Sequence, residues 1–370
     1  MSYRKWIEID LRSLASNIRE IKQHLKNNIV FIAVLKDNAY GFGLNKLCSL
    51  VMENGADWIG MVDQYEGKRV RNIIGDNVPI FVMTPPFSEE SIKITIDNNL
   101  IQGIDSYKQA RKLNILARKK NKICQVHLKI NTGLNRYGVN IDDLVQLSKK
   151  IIKLSNLELE GVYTHFSTQY SDLNNTKYQF ERFTKAKNLL LKNNIDIKMY
   201  HCANSTVAID FPNMHMNAVR IGFSLFNFSP GLRKKWKLLD CFRFESKINK
   251  IREIPAGEYV GYDKKFKSKK PIKIGIIPVG YADGIPTTIS DKSHVLVKGF
   301  KIPIIASVCM SQIFIDLSSH VDIKEGEKVT LIGKQGKENI RAKDIAELGC
   351  AGEAEMIMRI MNATKDIHYI

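Results

Sequence analysis

The stretch IVFIAVLKDNAYGFG, residues 29–43, sets the terms for the whole chain. An apolar, β-branched run ends on Lys36, an Asn-Ala-Tyr-Gly turn follows at once, and a helical pattern opens after the second glycine. A run this continuous in Ile, Val, Phe and Ala suits a strand buried on both faces. The lysine that closes it has two readings. It marks the point where the strand meets solvent, or it is an amine held at the mouth of a sheet with Tyr40 four residues on.

Working outward, the same texture recurs. Residues 57–62, 78–83, 100–104, 124–130, 159–165, 196–201 and 217–222 are further short apolar runs. Helical patterns lie between most of them, as in YQFERFTKAKNLLLKNN, where Phe180, Phe183 and Leu190 share a face. A helix precedes the first run: after an Asp10 N-cap, Leu11, Leu14, Ile18, Ile21 and Leu25 recur at helical spacing. Eight strand–helix repeats imply an α/β fold with a parallel sheet. The expectation is an N-terminal (β/α)₈ TIM-type barrel over residues 1–232, with an open doubly wound sheet as the alternative. Near residue 228 the texture changes to SPGLRKKWKLL, a linker composition. Beyond it RFESKINKIREI, KIGIIPVGYA, SHVLVKG and EKVTLIG read as short strands, with one helix at AKDIAELG. Residues 233–370 are thus expected to form a smaller C-terminal β-rich domain.

Composition narrows the class. A chain of 370 residues with 44% hydrophobic and 25% charged residues can bury a sizeable core and is ordinary for a soluble protein. The start MSYRKWIEID has no apolar signal region, and no run is long enough to cross a bilayer. Cys48, Cys124, Cys202, Cys241, Cys309 and Cys350 form no CxxC pair, which argues against a zinc site or a disulfide framework and for a reduced, cytoplasmic protein. The net charge of +18 raises nucleic acid as a partner. However, the lysines fall in separate clusters at 118–122, 233–237 and 264–270, without the interleaved aromatics of a single-strand platform. A solvated basic surface is the expectation, with no nucleic-acid and no membrane partner.

A barrel gathers its chemistry where the strands end. Reading off those ends gives Lys36 and Tyr40, then Lys129, Arg136 and Gly138, then His165, Asn204 and Ser205, Arg220 and Gly222. The set holds an amine for a Schiff base, an imidazole, two guanidinium groups, and small residues suited to a phosphate. Each alone is weak, since a lone His is usually structural and Asn-Ser after a strand is usually a turn. Their common rim is the signal.

At these positions the chain resembles the alanine racemase family of fold type III pyridoxal-phosphate enzymes. AVLKDNAYGFG is similar to that family's lysine motif and HLKINTGLNRYGV to its arginine motif. GVYTHF, HCANS, AVRIGFSLFNFSP, EYVGYD, PVGYADG and SVCMSQ follow in family order. The resemblance implies a barrel followed by a β-domain, and amino-acid racemisation that supplies D-alanine for cell-wall peptidoglycan. It implies that Lys36 binds pyridoxal 5'-phosphate covalently. Tyr40, Asn204, Ser205, Gly222 and Phe223 would hold the phosphate side, His165 would lie against the ring, and Arg220 would face the ring nitrogen. Arg136 would meet the ring's phenolic oxygen and the substrate carboxylate. Lys129 would be either the lysine that many members carbamylate or a plain solvated or ion-paired lysine. The second base would be Tyr262, reaching the site with Met310 from the other subunit of a homodimer. Because a free tyrosine titrates near pH ~10, its phenolate needs nearby cations, and the His165–Arg220 pair is the expected source. For His201 and Asp283 structural hydrogen bonding is the better reading, for Cys309 a wall position, and for Tyr281 packing competes with a role.

Departures from the family fall on the substrate side. Ser311 stands where Asp is usual and Ser307 where Arg is usual; Ala354 or Glu353 replaces a tyrosine, Gln169 or Tyr170 an acidic residue, Asn131 an aspartate and Ile221 a proline. They leave a broader or serine-directed racemase open. A decarboxylase of the same fold is opposed by Arg220, where that family places a glutamate, and a silent cofactor-binding protein by the Lys36–Tyr262 pair.

Overall fold

The computed structural model describes residues 4–167, 172–228 and 236–370. After the strand β1 (Lys5–Ile9) comes the helix Leu11–His24. Asp10 caps that helix as its sequence requires, its Oδ1 accepting the N–H groups of Arg12 and Ser13 at 2.9 and 3.0 Å.

The eight apolar runs then become β2 (Val30–Val34), β3 (Trp58–Met61), β4 (Ile80–Val82), β5 (Ile101–Ile104), β6 (Cys124–Lys129), β7 (Leu157–Tyr163), β8 (Met199–Ala203) and β9 (Ala218–Ile221). They pair in parallel in sequence order, and β9 returns to β2, so the sheet closes as a barrel. The open-sheet alternative is thereby removed. Helices follow the strands; in Leu173–Lys192 the side chains of Phe183, Ala186 and Leu190 are buried and Phe180 is partly so.

The barrel interior is filled by rings rather than aliphatic groups alone. Phe81, His127, Tyr163 and His201 pack there, with Tyr163 and His201 stacked at 5.2 Å and Phe81 edge-on to Tyr163 at 5.1 Å. Two glycines make the room. A Cβ on Gly161 would stand 2.6 Å from the His127 ring, and one on Gly103 would stand 2.5 Å from the Tyr163 hydroxyl. The strand register also slips at these rings, between Val126 and His127 and between His201 and Ala203. Such irregularities re-aim side chains.

The second unit is a twisted β-structure. It contains β10 (Phe242–Lys247), β11 (Lys250–Ile254), β12 (Tyr259–Val260), β13 (Phe266–Lys267), β14 (Ile272–Ile277), β15 (His294–Val297), β16 (Phe300–Ile305), β17 (Ile313–Asp316), β18 (Lys328–Gln335), β19 (Glu338–Ile340) and β20 (Ile367–Tyr369). The main sheet runs β11-β14-β17-β16-β15-β18-β10-β1-β20, with β19 on β18, and β12–β13 form a separate ribbon.

Three details differ from the expectation. Residues 4–14 belong with this sheet rather than with the barrel, because β1 pairs antiparallel with β10 and parallel with β20. RFESKINKIREI is two strands, broken at Ile248–Asn249. A second C-terminal helix, Glu353–Ala363, follows Ala342–Leu348; its buried Met356, Ile357, Ile360 and Met361 carry a helical spacing that sequence reading passed over. Most of the proposed linker, residues 229–235, lies outside the described residues.

Gly161→Ala should cost roughly 1–3 kcal/mol through overpacking against the His127 ring. A lowered urea midpoint for barrel unfolding checks this, and an unchanged midpoint would mean that the ring has space to move.

Candidate active site

Lys36 stands one residue beyond the buried Leu35 at the end of β2, its side chain 38% exposed. The four residues after it wind the wrong way for L-amino acids. Asp37, Asn38, Ala39 and Tyr40 have φ of 54°, 54°, 55° and 56°, a single left-handed turn closed by Gly41 at φ 85°. Each non-glycine residue in this region costs about 1–2 kcal/mol. The turn is closed by Ala39 N–H on Leu35 O at 2.8 Å and Gly41 N–H on Asp37 O at 2.9 Å. Its effect is to send Lys36 and Tyr40 to the same side: the Lys36 Nζ lies 5.8 Å from the Tyr40 ring centroid.

Tyr40 is buried, with its ring edge-on to Phe223 at 4.8 Å. Its hydroxyl occupies the space that a side chain on residue 222 would fill, so only glycine is tolerated at Gly222. The Gly222 N–H donates to Ser205 Oγ at 3.1 Å. Asn204 is the N-cap of the helix Ser205–Asp210, its Oδ1 accepting Val207 N–H, and its buried Nδ2 has no hydrogen-bond partner among the described residues. Tyr40, Ser205, Gly222 and Phe223 therefore meet in one small cradle, with the unpartnered Asn204 Nδ2 next to it in the chain, a set of hydroxyl, amide and backbone groups whose chemistry fits a phosphate.

Arg220, on β9, is only 3% exposed. Its Nη1 donates to His201 Nδ1 at 2.8 Å and His201 O at 3.1 Å; its Nη2 donates to Thr164 O at 2.6 Å and Cys202 O at 3.3 Å. Because arginine can only donate, His201 must accept at Nδ1 and carry its proton on Nε2. That proton points to His127 Nδ1 at 2.8 Å, and His127 Nε2–H then points to Glu160 Oε2 at 3.3 Å. The relay runs one way through the barrel and ends on a carboxylate.

His165 Nδ1 is 3.5 Å from Arg220 Nη2. Desolvation first, then Arg220, Lys129, Arg136 and Lys36, push its imidazole down to about 3. His165 is therefore neutral, and the expected cationic His165–Arg220 pair is corrected to a single cation. Burial lowers the Arg220 guanidinium to about 10, so it stays charged at neutral pH. Lys129 is 5% exposed, with its Nζ 5.4 Å from the Tyr163 ring and 5.3 Å from the Tyr137 ring. Burial, then Arg136 and Arg220, lower its amine to about 8 against the opposing pull of Asp105. Arg136 is exposed on the loop after β6. Asn131 secures that loop, its Oδ1 accepting the N–H groups of Gly133 and Asn135, and Gly138 N–H donates to Asp105.

The barrel thus brings together all the site residues placed on it by sequence. Tyr262 and Met310 lie in the sheet unit, 66% and 58% exposed. Asp283 is buried and structural, bonded to Arg4, Lys5 and Gly280 N–H. Tyr281 is exposed; Cys309 is buried, and burial raises its thiol. Ser307 Oγ is buried with no hydrogen-bond partner among the described residues, and Gln169 and Tyr170 lie outside them. Tyr163, His127, Glu160, Asp105 and Glu66 are neighbours that sequence reading missed. Two of them were within reach: His127 precedes Lys129 by two residues and Tyr163 precedes His165 by two, the spacing that puts side chains on one side of a strand.

With the site assembled, the comparisons decide its family. The description "Alanine racemase, N-terminal domain" matches residues 9–230, and "Alanine racemase, C-terminal domain" matches residues 241–368. The chain belongs to the alanine racemase family. An alanine racemase of Halothermothrix orenii is 35% identical over 345 residues, 92% of this chain and 90% of its own. Solved alanine racemases align over nearly everything. That of Clostridium difficile 630 in complex with cycloserine has a TM-score of 0.88 at 27% identity, covering 100% of this chain and 96% of its own. That of Bacillus anthracis with bound L-Ala-P has a TM-score of 0.87 at 28% identity, covering 97% and 93%. The protein is accordingly an amino-acid isomerase, and the decarboxylase and silent-protein readings fall away.

The neutral histidines give a pH signature. His127, His165 and His201 all have folded-state values below the ordinary imidazole value. Below about pH 6.5 the unfolded chain takes up protons that the folded chain refuses, and stability is lost as pH falls, by up to about 1.4 kcal/mol per pH unit per histidine. Thermal midpoints should drop from pH 7 to pH 5 while NMR still shows neutral rings at His165 and His201; a flat profile would contradict the assignment.

Proposed function

We propose that this enzyme interconverts L- and D-alanine using pyridoxal 5'-phosphate, with Lys36 and Tyr262 serving opposite faces of the substrate Cα. The observation that carries the reading is Lys36 Nζ beside the Tyr40–Ser205–Gly222 cradle, at one end of a barrel whose sequence matches the racemase family. When bound, the cofactor supplies an electron sink that makes the Cα proton removable. Tyr40, Asn204, Ser205 and the backbone of Gly222 and Phe223 hold its phosphate. Arg220 would meet its ring nitrogen and, being unable to accept a proton, would disfavour protonation there. His165 would lie against the ring as a neutral group. Arg136 receives the substrate carboxylate as a guanidinium fork.

Proton transfer falls to the amine of Lys36 on one face and the hydroxyl of Tyr262 on the other. Tyr262 and Met310 are assigned to the partner subunit of a homodimer in which each site is shared; the high exposure of both residues on the sheet unit supports this. D-alanine for peptidoglycan is the expected product use. A cytoplasmic setting is supported by six free cysteines, and among the described residues no helix is long and apolar enough to cross a membrane.

Purified protein with pyridoxal phosphate and L-alanine in D₂O should give D-alanine deuterated at Cα, and borohydride reduction should fix the cofactor to Lys36. Tyr262→Phe should lower racemisation by about 10²–10⁴-fold, the usual worth of a positioned acid or base. Deuteration without inversion, or an adduct at another lysine, would overturn the assignment.

Lys129 is proposed to carry a carbamate. An amine near 8 is neutral far more often at pH 7.5 than an ordinary lysine, and only the neutral amine adds CO₂. The product would turn a cation beside Arg136 into an anion. With ¹³C-bicarbonate the wild type should show a carbamate resonance that Lys129→Met lacks; its absence in the wild type would leave Lys129 as a cation packed on Tyr163.

A further inference from the structure

The left-handed turn after Lys36 leaves its first N–H groups without partners inside the turn, as any helical turn does. Asp37 N–H and Asn38 N–H both leave the turn and meet one carboxylate. Glu66 Oε2 accepts the first at 2.8 Å and Glu66 Oε1 accepts the second at 2.6 Å. Glu66 sits in the first turn of the helix Gln64–Ile74, and its own N–H is capped by Asp63 at 2.9 Å. The same helix supplies Arg69, whose Nη2 reaches Asn38 Oδ1 at 3.4 Å; that oxygen also accepts Leu44 N–H at 3.2 Å.

We infer that Glu66 is a positioning residue: its bidentate carboxylate holds the backbone of Asp37 and Asn38 left-handed, and so fixes where Lys36 and Tyr40 point. The inference rests on the role proposed above for Lys36. Asp37 and Asn38 tolerate the left-handed region better than other non-glycine residues and Gly41 closes the turn, but such residues visit it singly, and Ala39 and Tyr40 have no side-chain reason to adopt it. Two charge-assisted bonds to adjacent amides do favour it. A right-handed turn would carry these amides off the carboxylate and swing Tyr40 out of the space beside Gly222. Glu66 acts through the backbone N–H groups of Asp37 and Asn38, and a neutral amide there cannot replace it, since glutamine offers one acceptor and turns a donor toward the second N–H.

Hydrogen exchange on the cofactor-free protein reads the clamp directly. In the wild type the Asp37 and Asn38 amides should exchange slowly although Asp37 is exposed. In Glu66→Gln they should exchange at least tenfold faster, and in Glu66→Ala faster still, with the amides of β2 and β6 unchanged and Lys68→Ala behaving as wild type. The apparent pyridoxal phosphate Kd, followed by absorbance, should rise about tenfold in Glu66→Gln and kcat should fall similarly, with the KM for alanine moving less than twofold. Fast exchange of both amides in the wild type, or unaltered exchange and cofactor affinity in both variants, would overturn the inference. A wild type that fails to bind pyridoxal phosphate would instead sink the proposed function and leave the exchange comparison standing.

Discussion

The buried guanidinium of Arg220 is the constraint on which the rest of the barrel is organised. A charge moved from water to a protein interior carries a large desolvation cost unless its donors are satisfied. Here they are met by three backbone carbonyls and two imidazole nitrogens, all uncharged. The nearest compensating anion along that chain of bonds is Glu160, two imidazoles away. The direction of every proton between them follows from arginine's inability to accept. His201 and His127 are consequently neutral and of fixed tautomer, and the glycines at 103 and 161 exist to let large rings occupy the interior where the relay runs. His165 is neutral for a different reason: burial desolvates it, and the cations it faces add to that.

A second constraint acts on the backbone. Four consecutive left-handed residues form a local defect that persists only because the surroundings over-determine it. The helix that follows β3 does so from outside the barrel, through Glu66 and Arg69, while Tyr40 is locked from inside by Phe223 and the missing side chain at Gly222. Strain of this kind collects where groups must be aimed. It brings the amine of Lys36 within 5.8 Å of the Tyr40 ring while the Tyr40 hydroxyl stays beside Gly222 at the end of β9.

The barrel was legible in the sequence because each strand is a short apolar run bounded by polar residues, and a parallel sheet covered on both faces needs such runs. The rim residues were legible because they interrupt those runs: Lys36 after Leu35, His165 after Thr164, Arg220 inside AVRIG. What lay deeper was not. Glu160 alternates with the buried Leu157 and Leu159 as a partly exposed acid of β7, so nothing in the pattern sets it apart as the end of a buried relay. Residues 37–40 of the left-handed turn include no glycine to announce it, and Glu66 reads as an ordinary first-turn acid beside the Asp63 N-cap of its helix. The pairing of β1 with β10 and β20 joins segments more than 230 residues apart, a contact that no local pattern encodes.

Charge decides what such a site can accept. The field at His165 comes from Arg220, Lys129, Arg136 and Lys36, with no carboxylate among its main sources. The acids nearby are engaged: Asp37 lies 3.9 Å from Lys36, and Asp105 takes the Gly138 N–H. In a partly desolvated barrel mouth this surplus of positive charge is worth more than it would be in water. It favours a ligand bringing its own negative charges, one at the Tyr40–Ser205 cradle and another within reach of Arg136, which is the charge pattern of a phosphorylated cofactor carrying an amino acid. The net charge of +18 on the whole chain, by contrast, lies mostly on solvated lysines and says little about this chemistry. The four cations at the rim act by placement, since an equal number scattered over the surface would be screened within a Debye length.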